Sequence, residues 1–221
     1  MKPEPKSFFL TPEIESYLLA HTTPVDDVQQ WLIDETWSRV ARQAGMQISP
    51  EQGTFMTLLT RLLNVRRAVE VGTFTGYSAL CIARGLAEGG RLTCCDISEE
   101  WTSIGRTAWE RAGVADRIDL RIAPAIETLR SLPIDEPIDM VFLDADKTGY
   151  LNYYEELLPR LRTNGVILVD NTLWSGRVFD ESNDEEDTLA LREFNDMVAA
   201  DVRVESTILT LGDGLTLIRK R

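Results

Sequence analysis

The sequence predicts an α/β fold, a doubly wound, mostly parallel seven-stranded sheet with a C-terminal antiparallel hairpin and extra N-terminal helices. Three observations predict it. Runs such as Val141-Phe142-Leu143 and Val166-Ile167-Leu168-Val169 are continuously apolar, as strands covered on both faces must be. Helix-length amphipathic stretches alternate with these runs, and that alternation implies right-handed crossovers between parallel strands. The last two strand-like segments meet at Gly212-Asp213-Gly214, a hairpin signal.

In chain order, residues 1–10 read as a mobile tail able to pack on a partner. Thr11-Pro12 sets an N-cap before a proline in the first turn and opens a helix through about residue 20. Thr23-Pro24 repeats the signal, and a helix over 25–44 follows, with Val28, Trp31, Leu32, Val40 and Ala44 in helical spacing and Gly45 as its stop. Ser49-Pro50-Glu51-Gln52 reads as a capping box. Its helix carries Phe55, Leu58, Leu59, Leu62 and Leu63 on one face, expected to be core. From Arg67 the period changes. Strands are expected over 68–71, 92–96, 118–122, 138–143 and 166–169, then 202–211 and 215–218. Helices fill 78–88, the stretch after Ser98, a short stretch after Ala125, 150–161 and 188–200. With no linker or repeat, residues 1–221 are expected to form one domain, 1–45 being a helical extension.

Composition narrows the function. The chain has 221 residues and a net charge of −13, which repels a phosphate backbone and argues against nucleic acid as a partner. No apolar run approaches the ~18 residues of a membrane span, and the first residues lack the apolar core of a signal peptide, so a cytoplasmic protein is expected. Cys81, Cys94 and Cys95 sit in apolar segments without metal spacing and read as reduced core residues. With His21 the only histidine, histidine-based catalysis is disfavoured.

Two strands end in hard oxygen donors: Leu143 is followed by Asp144, and Val169 by Asp170-Asn171. Ligands of open α/β sheets collect beyond the carboxyl ends of the strands. Asp144, Asp170 and Asn171 therefore form a candidate Mg²⁺-type site, with Lys147 one turn past Asp144. The bland alternatives are that the acids cap the next helices and that Lys147 is a solvated surface residue. The first strand leads through Glu70 into Gly72-Thr73-Phe74-Thr75-Gly76, and Asp96 ends the second. An acid there suits ribose hydroxyls, but Phe74 occupies the middle glycine position of a dinucleotide fingerprint. Glu70 would oppose a pyrophosphate and suits a cationic ligand. S-adenosylmethionine, with an adenosine, an ammonium, a sulfonium and no phosphate, fits that order.

The segments Val69-Glu70-Val71-Gly72-Thr73-Phe74-Thr75-Gly76-Tyr77-Ser78, Phe142-Leu143-Asp144-Ala145-Asp146-Lys147 and Val169-Asp170-Asn171-Thr172-Leu173-Trp174-Ser175-Gly176 together resemble a known family. It is the cation-dependent class I O-methyltransferases of caffeoyl-CoA O-methyltransferase type, in their bacterial small-substrate branch, with catechol O-methyltransferase as a relative. The resemblance runs from about Met46 to the C terminus. It implies a Rossmann-like fold and a homodimer. It also implies that Glu70, Gly72 and Ser78 hold the methionine side of S-adenosylmethionine, that Asp96 holds the ribose, and that Ile48 and Ala125 flank the cofactor. Asp144, Asp170 and Asn171 match the ligands of Mg²⁺ (or Ca²⁺, Mn²⁺ or Zn²⁺). Lys147 matches the proposed general base, and Asp144 borders both cofactor and reacting centre. Ala123 stands where the family has glycine, which narrows the adenine pocket by a methyl group.

These parts fit transfer of a methyl group to a vicinal dihydroxy aromatic ring. A phenol, with a reference pKa near 10, is a poor nucleophile until a divalent cation and a base draw off its proton. Trp174 and Phe179, in the loop after Asn171, are candidates to sandwich that ring, or else core. Asp180, Glu181, Asp184, Glu185, Glu186 and Asp187 read most simply as a solvated run before a helix. If they border the site, they disfavour a polyanionic CoA thioester and favour a small free catechol. The competing readings are a caffeoyl-CoA-type thioester methyltransferase, a NAD-dependent oxidoreductase on the same fold, and a non-catalytic binding protein.

Overall fold

The computed structural model describes residues 10–221, so the expected tail lies almost entirely outside the described residues. The helices are α1 (Pro12–His21), α2 (Asp27–Arg39), α3 (Pro50–Leu62), α4 (Tyr77–Gly85), α5 (Glu99–Arg111), α6 (Ala125–Ser131), α7 (Tyr150–Leu157) and α8 (Glu186–Ala200). The strands are β1 (Arg67–Val71), β2 (Arg91–Asp96), β3 (Ile118–Ile122), β4 (Ile138–Leu143), β5 (Leu161–Val169), β6 (Val204–Leu209) and β7 (Leu215–Lys220). They form one sheet in the order β3-β2-β1-β4-β5-β7-β6. The first five run parallel, while β7 pairs antiparallel with β5 and β6. The expected fold class is the observed one.

One apolar cluster lies under α3, α4 and α5 and includes Met56, Leu80, Ile104, Trp109 and Phe142. The other lies under α7 and α8 and includes Val141, Tyr150, Tyr154, Ile167, Leu191 and Phe194. Alternate β4 residues feed opposite clusters, Phe142 the first and Val141 the second, as the two-residue period of a strand requires.

The N-terminal region departs from expectation in three places. The helix expected over 25–44 spans Asp27–Arg39, and Ala44–Met46 forms a separate 3-10 turn. Its cap is Asp26, in a reciprocal capping box with Gln29, rather than Thr23. Ser49 makes no capping bond, its buried Oγ has no partner, and Gln52 points elsewhere. Finally, α3 buries Gln52, Gly53, Met56 and Thr60, whereas Leu62 is 82% exposed and Leu58 51%. Of the expected core stripe, Phe55, Leu59 and Leu63 pack partly buried against the first cluster, whereas Leu58 and Leu62 lie outside it. The polar stripe faces α4, where Thr57 Oγ1 donates to the Cys81 carbonyl (2.9 Å) and Gly53 leaves room for Tyr77. Cys81, Cys94 and Cys95 are free and buried.

Candidate active site

Backbone pairing brings the expected residues to one edge of the sheet. The amide of Gly72 donates to the Cys95 carbonyl (2.9 Å), that of Asp144 to Val71 (2.8 Å), and that of Asp170 to Leu143 (2.9 Å). The tips of β2, β1, β4 and β5 thus form one row, and Asp96, Gly72, Asp144 and Asp170 stand along it. At Gly72, with φ +89°, a Cβ would lie 2.0 Å from the Asp144 carbonyl oxygen. At Gly76, with φ +82°, it would strike Trp109 and Gly105. At both glycines the close approach is to the protein's own atoms.

Asp96 shapes the loop between β1 and α4. Its Oδ2 accepts from the amides of Thr73 (2.9 Å) and Phe74 (2.8 Å), and its Oδ1 from Ser98 (2.8 Å). These bonds hold Phe74 at a left-handed φ of 51°, with its ring edge-on to Trp101 at 5.3 Å. From the other side, Thr75 is held by Thr36 (2.9 Å) and Gln47 (3.2 Å), which ties α2 to the loop.

Glu70 is fully buried, and neither carboxylate oxygen has a hydrogen-bond partner. Burial pushes its carboxyl up to about 7; the neighbouring Ser78 and Thr73 hydroxyls and the Cys94 thiol pull the other way, and the charge on Asp144 adds to the rise. Unpaired buried carboxylates are costly, and a cationic or hydroxyl-bearing ligand is the kind of partner that would offset this cost. Ser78, buried at the start of α4, stands beside it. Ala125 opens α6 just past β3, and Ile48 is buried in the first core cluster just before α3.

Lys147 is 8% exposed, not a solvated surface lysine. Its Nζ donates to Tyr150 Oη (2.7 Å), Asn171 Oδ1 (2.8 Å) and Asp144 Oδ1 (3.2 Å), which uses all three ammonium protons. Tyr150 Oη in turn donates to the Asp170 carbonyl (3.1 Å). Asp170 Oδ1 accepts from the Asn171 amide (2.8 Å), and Oδ2 from Gln52 Nε2 (3.0 Å). Burial, and next the negative charge on Asp144, raise the Asp170 carboxyl above the usual range. One carboxylate (Asp144) and one amide oxygen (Asn171) therefore meet the Lys147 ammonium, with the Asp170 carboxylate close by on its own partners. This donor set is all oxygen and carries a mutual repulsion that a divalent cation would relieve, so these residues fit such an ion.

The turn Trp174–Phe179 lines the same corner, with Lys147 Nζ 5.6 Å from the Trp174 ring. Trp174 is half-buried and its Nε1 is buried without a partner, whereas Phe179 is 66% exposed. The acidic run 180–187 is exposed apart from half-buried Asn183, in agreement with a solvated stretch. Three residues of this corner escaped the sequence reading. Gln52 was assigned to a cap, and its partner lies 118 positions away. Tyr150 looked like an ordinary helix start, although its spacing of three from Lys147 is a usable signal. Asp213, which accepts from the Ser175 amide (2.6 Å), looked like turn chemistry alone.

A family model described as O-methyltransferase matches residues 23–221, which starts earlier than the resemblance read from Met46. The chain is 41% identical over 212 residues to "probable caffeoyl-CoA O-methyltransferase 2" of Dictyostelium discoideum, covering 94% of this chain and 91% of that one. It is 35% identical over 198 residues to the caffeoyl-CoA O-methyltransferase of Populus kitakamiensis, covering 86% and 84%. Among solved structures, the O-methyltransferase from Bacillus cereus in complex with SAH superposes with a TM-score of 0.86 at 31% identity, covering 95% of this chain and 97% of that one. On fold, motifs and relatives together, the chain belongs to the class I S-adenosylmethionine-dependent O-methyltransferases of caffeoyl-CoA O-methyltransferase type.

Proposed function

We propose that the chain moves the methyl group of S-adenosylmethionine to one hydroxyl of a small catechol-type acceptor, with a divalent cation, Mg²⁺ or a similar ion, held by Asp144, Asp170 and Asn171. The observation that carries this reading is the convergence of Asp144 Oδ1 and Asn171 Oδ1 on one positive centre, Lys147 Nζ, at 3.2 and 2.8 Å, with the Asp170 carboxylate next in sequence. When bound, the cation favours loss of an acceptor hydroxyl proton, and the cofactor supplies an electrophilic methyl group.

The chain's own residues do the rest. In its neutral form Lys147 takes the proton at Nζ, and Tyr150 fixes that nitrogen in place. Glu70 offers the cofactor's ammonium a buried negative partner, with Ser78 and Gly72 beside it and Asp96, Ile48 and Ala125 as the remaining cofactor contacts. Trp174 supplies an apolar wall for the ring. Orientation of the two reactants in this corner should account for much of the acceleration. Where the acidic run borders the acceptor, it favours a free catechol over a polyanionic thioester. We further infer that residues 1–221 act as one domain of a cytoplasmic protein, and that it forms a homodimer, because Tyr17, Trp37, Leu58 and Leu62 expose apolar surface on α1, α2 and α3. Among the described residues no helix is long and apolar enough to cross a membrane.

The test is methyl transfer to a catechol panel, with and without EDTA, and caffeic acid against caffeoyl-CoA at low salt. Turnover that EDTA abolishes and Mg²⁺ restores is expected. EDTA-insensitive turnover would refute the cation, and strong preference for the thioester would refute the small acceptor.

A further inference from the structure

The segment after Asn171 has a backbone that needs external support. Asn171 (φ 59°), Trp174 (φ 49°), Ser175 (φ 52°) and Gly176 (φ 84°) all lie in the left-handed region. Such conformations persist only where the surroundings over-determine them. One face of α8 supplies much of that support. Arg192 Nε donates to the Val178 carbonyl (2.8 Å), Nη1 to Asn183 (3.0 Å), and Nη2 to Arg177 (3.0 Å) and also to Asp180. One turn on, Asn195 Nδ2 donates to the Thr172 carbonyl (2.8 Å). Between them Phe194 meets the Tyr150 ring edge-on at 5.6 Å, and Tyr150 accepts from Lys147. The same helix packs against both the Lys147–Gly149 turn and the Trp174–Phe179 turn. It is a common mount for the base and for the loop beside it.

We propose that Arg192 is the positioning residue that sets acceptor binding and regiochemistry: its guanidinium gathers four carbonyls between residues 177 and 183 and so keeps Trp174 over Lys147. The inference rests on the reading of this site as a catechol-type methyl-transfer site. A planar five-donor fork serves diverging carbonyls that a lysine ammonium, a single point of charge, does not reproduce. Arg192 touches neither Lys147 nor the oxygens around it, so it acts through the loop alone. Displacement of a positioning element by ~1 Å can cost about 100-fold in rate.

The experiment compares wild type, Arg192→Ala and Arg192→Lys as full chains with S-adenosylmethionine, Mg²⁺ and caffeic acid. For both variants the acceptor KM should rise about 10- to 100-fold, and the ratio of the two methylated regioisomers should move toward one. The cofactor Kd should stay within about twofold. Amide hydrogen exchange should quicken over 172–183 while the sheet stays protected, and free guanidinium should partly restore the KM of Arg192→Ala. Unchanged KM and regioisomer ratio, or exchange that quickens across the whole sheet, would overturn the proposal. If Arg192→Ala does not fold, Arg192→Lys carries the same readouts. If wild type methylates no catechol, the functional reading fails, and the clamp then stands or falls on the exchange data alone.

Discussion

Replacing Glu70 by Gln tests the electrostatic logic of the cofactor side. The wild-type carboxyl is fully buried, has no hydrogen-bond partner, and is pushed by that burial from 4.5 up to about 7. At about 1.4 kcal/mol for each tenfold change in proton affinity, that rise is worth roughly 3 kcal/mol. The folded-state value lies above the unfolded one, so the native protein binds more protons between them. Its contribution is therefore most favourable below pH 4.5 and is lost as pH rises through about 7. Glu70→Gln is neutral throughout and lacks this slope. Urea unfolding of the ligand-free proteins at pH 5 and pH 8 should show wild type losing roughly 2–3 kcal/mol more than the variant between the two conditions. Titrating groups that do not interact with Glu70, and the fixed cost of burying the amide, cancel in this difference. Cofactor affinity should move the opposite way, weakening about 10- to 100-fold as a charge-assisted hydrogen bond is lost. Parallel pH profiles together with unchanged cofactor affinity would refute the reasoning.

Three further outcomes are expected. Lys147→Ala should lower turnover about 100- to 10,000-fold while the cofactor Kd from calorimetry stays within about twofold, and wild-type turnover would remove Lys147 from the mechanism. Gly72→Ala would drive a Cβ to 2.0 Å from the Asp144 carbonyl at a φ of +89°, so thermal melts should show loss of folded protein or a drop of many degrees. A melting point within about 2 °C of wild type would show that the loop yields. Gln52→Ala removes the donor to Asp170 Oδ2; the Mg²⁺ activation midpoint should rise about 10- to 100-fold, and an unchanged midpoint would confine Gln52 to structure.

The sequence by itself determined the α/β class, the seven strands and the strand-end positions of Asp144, Asp170 and Asn171. Those features follow from local physics: an apolar run with a two-residue period, a glycine where φ must be positive, an acid where the run stops. It also identified the family, because the three motifs Val69–Ser78, Phe142–Lys147 and Val169–Gly176 are contiguous and are read one strand at a time. Helix boundaries in the N-terminal region were less legible. Asp26 and Thr23 are both acceptable caps, and the choice fell to Asp26, whose Oδ2 also meets Arg84 (2.7 Å).

What only the tertiary structure decided is which face of each element turns inward and which distant groups share a proton or an oxygen. A polar and an apolar stripe compete on α3; Gly53 and Thr57 let α4 approach so closely that the polar stripe is buried, and Leu58 and Leu62 are left outside. That rotation carries Gln52 to Asp170, a contact no local rule contains. In the same way, α8 reads from sequence as one more amphipathic helix, yet Arg192, Phe194 and Asn195 fasten the loop and, through Tyr150, Lys147 to a single support. Periodicity specifies what a segment can bury. The partner it is buried against is selected by the packing of the whole chain.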